Sequence, residues 1–334
     1  MASRNTSGRE KVKARMTRKI TAAAIHRYLL AATLAGAVAT VTPVRADSFT
    51  FSTGNADGRL ASLSQPARAL KLETETADDF ILTETTSIKG ATITGLIPAG
   101  TPLSSIKNVE IEIYHVFPTD SVTPPSNRVP TRMNSPADVE IDSATRDGSR
   151  GTLAFRASLL KSGFSVQNTV VTGIKAAPAN VTHGEGPATG DAVEISISFD
   201  PPIVLPSDHY FFRPEVEVID GDFLYLSAPR PIVSPGTPFL GDLQAWIRNI
   251  DLKPDWLRIG TDIIGGSPAP TFNMTFALSG ETIPDAGTPG KANCHGKTIS
   301  ALARQFGGIS AAATTLGFSS VAELQGGMKT FCGE

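Results

Sequence analysis

Apolar and polar residues trade places with a period of two from Asp47 to about Gly280. Val193-Glu194-Ile195-Ser196-Ile197-Ser198-Phe199 is the clearest run, and Val109–Ile113 and Phe272–Leu278 repeat it. Successive strand side chains point to opposite faces, so each run predicts a strand with one buried and one wet face. The same reasoning places strands at Ala77–Leu82, Ile88–Gly95, Thr152–Arg156, Ser165–Thr172, His209–Val218, Phe223–Ser227 and Trp256–Ile259. No amphipathic helix interrupts them. Strands without crossover helices pair antiparallel, so the expected fold is mainly β, a two-sheet sandwich or jelly roll.

Three stretches lack the alternation and read as long loops: Phe117–Arg150, Ala176–Asp191 and Ala228–Leu240, the first and third rich in Pro. Loops at the ends of a sandwich are where binding surfaces usually form. Residues 282–293 (Thr-Ile-Pro-Asp-Ala-Gly-Thr-Pro-Gly-Lys-Ala-Asn) have the composition of a linker. After them the period changes. Ile299, Leu302, Ala303 and Phe306 form a helical stripe, stopped by Gly307-Gly308. Ser310 is placed to cap a short second helix through Leu316. Ser320-Val321-Ala322-Glu323 is a capping box that opens a third helix, with Val321, Leu324, Met328 and Phe331 on one stripe. Domains are therefore expected at 47–281, a sandwich, and 294–334, a three-helix tail.

The first 46 residues break the pattern in another way. Basic residues (Arg15, Arg18, Lys19, Arg27) lead into the apolar run Tyr28–Ala39, and Val44-Arg45-Ala46 offers a small-x-small cleavage point. That layout predicts a secretory signal peptide at 1–46 and a protein working outside the cytoplasm, secreted or periplasmic. The run is shorter than the roughly 20 apolar residues of a membrane-spanning helix, so no membrane insertion is expected. Nine of the 30 basic and one of the 32 acidic side chains lie within 1–46. The remaining 21 against 31 give a net charge of −10, which carries no electrostatic footprint for nucleic acid. Cys294 and Cys332, the only two cysteines, are expected to form a disulfide in an oxidising compartment. Forty-odd residues bury too little apolar surface to fold alone. Closing the loop contributes about 4 kcal/mol on the chain-entropy estimate.

Catalytic signatures are missing. There is no G-x-S-x-G, H-E-x-x-H, Walker loop or C-x-x-C. His115, His183, His209 and His295 are scattered, which leaves a hydrolase site assembled from loops as an alternative. No cofactor is expected. The candidate ion is Ca²⁺ at Asp220 and Asp222, but such a site takes about six to eight oxygens, and Asp220-Gly221-Asp222 also reads as a hairpin turn. Asp78-Asp79-Phe80 reads as the turn into a strand with Phe80 in the core. Trp246 and Trp256, near Arg248, Asp255 and Arg258, and Tyr210, beside Phe211 and Phe212, are the candidate ligand-binding aromatics. Exposed rings beside polar groups hold sugars by stacking and hydroxyl bonding; core packing is the competing role for each.

Phe51-Ser52-Thr53-Gly54-Asn55-Ala56-Asp57-Gly58-Arg59, Thr76-Ala77-Asp78-Asp79-Phe80, Val129-Pro130-Thr131-Arg132-Met133-Asn134-Ser135-Pro136, Asp208-His209-Tyr210-Phe211-Phe212 and Trp256-Leu257-Arg258-Ile259-Gly260-Thr261-Asp262 resemble stretches of an uncharacterised family of secreted bacterial proteins. The resemblance spans most of 48–280 and implies export and a β-sandwich. It carries no catalytic residue. The tail from Cys294-His295-Gly296-Lys297 is similar to a two-cysteine helical addition on other exported bacterial proteins. The expected role is non-catalytic binding or surface association, with a glycan or another extracellular polymer as the leading ligand. A self-assembling envelope or matrix component is a further alternative.

Overall fold

The alternating runs become two antiparallel sheets packed face to face. In the computed structural model, the described residues are 48–334 without 69–70, 120–127, 175–180, 230–242, 283–286, 288–289, 291, 316–317 and 333–334. The segment expected to be a signal peptide lies outside them, as do parts of all three predicted loops and of the linker.

The strands are β1 (Ser48–Ser52), β2 (Leu60–Leu63), β3 (Thr74–Ile81), β4 (Thr86–Ile97), β5 (Ile106–Val116), β6 (Pro136–Glu140), β7 (Arg146–Asp147), β8 (Leu153–Val166), β9 (Asn168–Val170), β10 (Ala188–Leu205), β11 (His209–Val218), β12 (Leu224–Ala228), β13 (Trp246–Asn249), β14 (Leu257–Arg258), β15 (Asn273–Met274) and β16 (Phe276–Thr282). One sheet runs β1-β16-β4-β12-β2-β9, with β10 also on β4, β8 on β10 and β15 on β12. The other runs β14-β13-β3-β11-β5-β6, with β7 also on β5. The dry faces of the two sheets meet in one core. Phe80, Tyr210, Phe212, Ile111 and Ile113 come from the seven-stranded sheet, and Phe51, Ile93, Ile195, Phe276 and Leu278 from the nine-stranded sheet. Phe212 and Phe276 stack across the gap, with centroids 5.0 Å apart.

The structure departs from the sequence reading in four places. Phe117–Arg150 is not all loop: β6 and β7 pair with β5, because Ala137, Ala144 and Arg146 find buried places against it. β10 begins at Ala188, inside the second predicted loop, and continues to Leu205. It crosses an irregularity between Ser198 and Ile203, where the Pro201 and Pro202 carbonyls accept from Arg146 Nε (2.9 Å) and Nη2 (3.0 Å). β1, β2 and β13 were not foreseen. β2 pairs parallel with β9, an arrangement open to strands about a hundred residues apart in the chain because the link between them passes through the other sheet.

The tail folds as the change of period predicts. Its helices are α1 (Cys294–Phe306), α2 (Ile309–Thr315) and α3 (Val321–Cys332). Ile299, Leu302, Phe306, Ala312, Ala313, Leu324 and Met328 make its small core, and a Cys294–Cys332 disulfide closes it. Ser310 lies inside α2 rather than at its cap. At α3, Ser320 Oγ accepts from Glu323 N (3.2 Å), and Glu323 Oε2 accepts from Ser319 N (2.7 Å), one residue before the expected reciprocal partner. Among the described residues no helix is long and apolar enough to cross a membrane.

Candidate functional site

The outward faces of the two sheets differ, and that difference locates the site. On the nine-stranded sheet, every second residue of five adjacent strands points away from the core. Register places Ser52 opposite Ala277, Ala277 opposite Thr92, Thr92 opposite Ser196, and Ser196 opposite Arg156. The neighbouring row is Thr50, Ser279, Gly90, Ser198 and Ala154. Strands lie about 4.8 Å apart and alternate residues about 7 Å apart along a strand, so the hydroxyls form a fixed two-dimensional array. Small side chains leave two shallow depressions, about 390 Å³ over β1, β16 and β4 and about 300 Å³ over β10 and β8. Gly90 keeps the array open: a Cβ there would stand 2.8 Å from the Ile197 carbonyl oxygen. Arg156 is the single charge in the two rows.

The seven-stranded sheet is the opposite case. Its outward positions carry Glu75, Glu112, Tyr114, Arg213, Glu215, Trp246 and Arg248, all out of contact with bulk solvent or nearly so. Glu75 faces Arg248 across β3 and β13, and Glu112 faces Arg213 across β5 and β11. Arg213 contacts three carboxylates: Glu112, Glu75 (Nη2 to Oε1, 3.3 Å) and Glu215 (Nη1 to Oε2, 3.0 Å). Arg248 bonds Glu75 through Nε, donates from Nη2 to the Tyr114 hydroxyl (2.9 Å), and lies 4.2 Å from the centre of the Trp256 ring. Burial opposes ionisation of Glu75, but Arg248 and Arg213 outweigh it and hold Glu75 down at about 2. Burial pushes Glu215 up to about 8 against the pull of Arg213, and the charges of Glu75, Glu73 and Glu110 add to that rise. A carboxylate and a carboxylic acid therefore stand side by side at neutral pH, a separation that acid–base sites also use. Here the guanidinium groups take up both.

Glu73, Glu75 and Glu215 bring oxygens within 4.8 Å of one another. Lys253 Nζ already bonds Glu73 and lies 3.4 Å from Glu75, so an internal ammonium supplies the positive charge that a metal ion would bring.

The aromatic residues chosen from sequence need correction. Trp246, Trp256 and Tyr210 are 2, 1 and 0 % exposed, so no ring face is presented to a sugar. Trp256 folds over the charged layer with Leu243, Tyr114 and Phe211, and this cover buries the face that alternation had marked as wet. Tyr210 points into the core, where its ring stacks on Phe80 (5.6 Å) and its hydroxyl donates to the Pro206 carbonyl (3.0 Å). Asp222 is an ion-pair partner of Lys71 and Arg68, and Asp220 sits in the turn at φ 58°. Among the described residues, the one cluster of acidic oxygens close enough to share an ion is Glu73, Glu75 and Glu215, which includes neither of these two. Asp78 and Asp79 are both buried. Asp79 bonds His209 Nε2 (2.8 Å) and the Leu243 amide (3.0 Å), and Asp78 accepts from the Met274 amide (2.7 Å).

Sequence reasoning missed Glu75, Arg213, Glu215 and Arg248. The available signal was charge at alternate positions of Glu110-x-Glu112 and Arg213-x-Glu215, which is shared with any solvated face until the register is known. No protein-family description, no curated protein and no solved structure matches this chain.

Proposed function

We propose that this chain is an exported, non-catalytic binding protein whose ligand is an extended glycan or another extracellular polymer, laid across the open face of the nine-stranded sheet. The observation that carries the reading is the array of Ser and Thr hydroxyls on β1, β16, β4 and β10, with two depressions on the same face. A hydroxyl both donates and accepts, as sugar hydroxyls do. A sheet holds its side chains in place beforehand, which lowers the ordering cost of association. One contact of this kind is weak, but a polymer repeats it, and linked contacts multiply in strength. The near absence of charge in the two rows favours a neutral polymer over an acidic one. The basic-apolar N-terminal segment and the disulfide support export, since disulfides persist in oxidising compartments.

The test is retention on insoluble neutral polysaccharides, cellulose and chitin among them, by wild type and by Ser52→Lys/Ser196→Lys. Both positions are exposed, so the substitutions leave the fold intact. Wild type should be retained and the double variant released. Retention no greater than that of denatured protein, or equal retention of the variant, refutes the reading.

A further inference from the structure

A different concavity opens at one end of the sandwich, between the two sheets. It measures about 280 Å³. Gln65, Lys71, Leu72 and Thr74 wall one side. Gln65 and Thr74 are paired, Gln65 N to Thr74 O (2.8 Å) and Thr74 N to Gln65 O (3.0 Å). Arg68 bonds the turn between β11 and β12, donating from Nη2 to the Gly221 carbonyl (2.6 Å). The same Nη2 donates to Gln65 Oε1 (2.9 Å).

That last bond decides what the cavity offers. Gln65 is 1 % exposed and lines the cavity. With its carbonyl oxygen held by Arg68, the carboxamide orientation is fixed, and no described residue accepts from Nε2. The Nε2 N–H groups are thus available to a ligand oxygen in the cavity. Asn249, at the end of β13, adds a second carboxamide whose side chain bonds no described residue. Leu63, Leu72 and Val171 supply an apolar wall. At the lip, Asp222 pairs with Lys71 and, at 3.5 Å, with Arg68.

We infer that this cavity binds a single neutral, polyhydroxylated ring of monosaccharide size. A pyranose has a C–H face for the Leu72 and Val171 wall, and hydroxyls that accept from Gln65 Nε2 and exchange bonds with Asn249. Planar amides beside an apolar wall match the hydroxyls and C–H face of such a ring. The site is separate from the open sheet face, and either can fail without the other.

The experiment is a titration of ¹⁵N-labelled protein, followed by amide chemical shifts, with D-glucose, D-galactose, D-mannose and N-acetyl-D-glucosamine, and with D-galacturonate as the charged comparator. At least one neutral sugar should shift Gln65, Leu72 and Asn249 saturably, with a Kd on the order of 1 mM. Asn249→Leu and Leu72→Asp should each weaken it at least about tenfold. Ser196→Lys, on the open face, should leave it unchanged. Asn249 is half-buried and Leu72 is 52 % exposed, so both variants keep the fold, checked by their unaltered core amide shifts. Saturation by no neutral sugar, tighter binding of galacturonate, or binding that survives both variants overturns the inference.

Discussion

Glu215→Gln separates the charged layer's electrostatics from its packing. Gln has the shape of a protonated Glu, so the substitution keeps the contacts with Arg213 and removes the titration. In the folded chain Glu215 holds its proton up to about pH 8, against 4.5 for the unsupported group. Between those values the unfolded chain releases a proton that the folded chain keeps. Stability therefore falls as pH rises, at about 1.4 kcal/mol per pH unit. The contribution is fully present below about pH 4.5 and gone above about 8, a span of about 5 kcal/mol. The variant lacks this loss, so its stability relative to wild type should rise by about 2–3 kcal/mol between pH 5 and 7. Urea unfolding at pH 5, 6, 7 and 8 measures it, with the buried Trp246 and Trp256 as fluorescence reporters. A constant difference between the two proteins, or a difference that grows toward acid, refutes the reasoning.

Arg213→Met leaves Glu75, Glu112 and Glu215 without their shared cation and should cost about 3–5 kcal/mol in the same urea assay. Glu75, held down at about 2, contributes stability above pH 4.5 that is lost as pH falls through 2. Acid unfolding followed by tryptophan fluorescence should show a loss of about 3 kcal/mol across that window, absent in Glu75→Gln. Cys294→Ser should remove about 4 kcal/mol from the tail. Hydrogen exchange should then show α1–α3 opening while the sandwich strands keep their protection.

What the sequence made legible follows from period. Val193–Phe199 alternates cleanly because β10 has one face in the core and the other, Glu194, Ser196 and Ser198, on the open side. The same run therefore gave both the strand and two positions of the open array, Ser196 and Ser198, although the array itself needs the register with β4, β16 and β1. Ile299, Leu302 and Phe306 gave α1 in the same way. Trp246, Trp256, Glu75 and Arg213 resisted because a second cover buries the outward face of their sheet. Alternation reports two faces and assigns the polar one to water; it cannot report that segments distant in sequence return to bury that face. Asp222 was singled out as a metal ligand and belongs instead to an ion pair with Lys71, a residue about 150 positions away. The mouth cavity had no sequence signature, since Gln65, Leu72, Val171 and Asn249 meet only once both sheets are closed.

The two outward faces also bear on where a ligand belongs. A buried layer of guanidinium and carboxylate groups is costly to desolvate, and it persists where each charge has partners close enough to offset the cost. Arg213 with three carboxylates, and Arg248 between Glu75 and Trp256, meet that condition without an outside group. Glu75 Oε1, Arg213 Nε and Glu215 Oε1 nonetheless lie buried there without a hydrogen-bond partner. Among the described residues no second layer covers the rows of the open face, where Ser52, Ser196 and Ser198 are exposed. Apart from Arg156, its rows are Ser, Thr, Ala and Gly, with no large apolar or aromatic side chain, and its depressions hold hydroxyls rather than packed side chains. One sheet buries its outward charges under a cover, and the other keeps an open, hydroxyl-rich face whose charges are few, which is why the proposed polymer is assigned to the second.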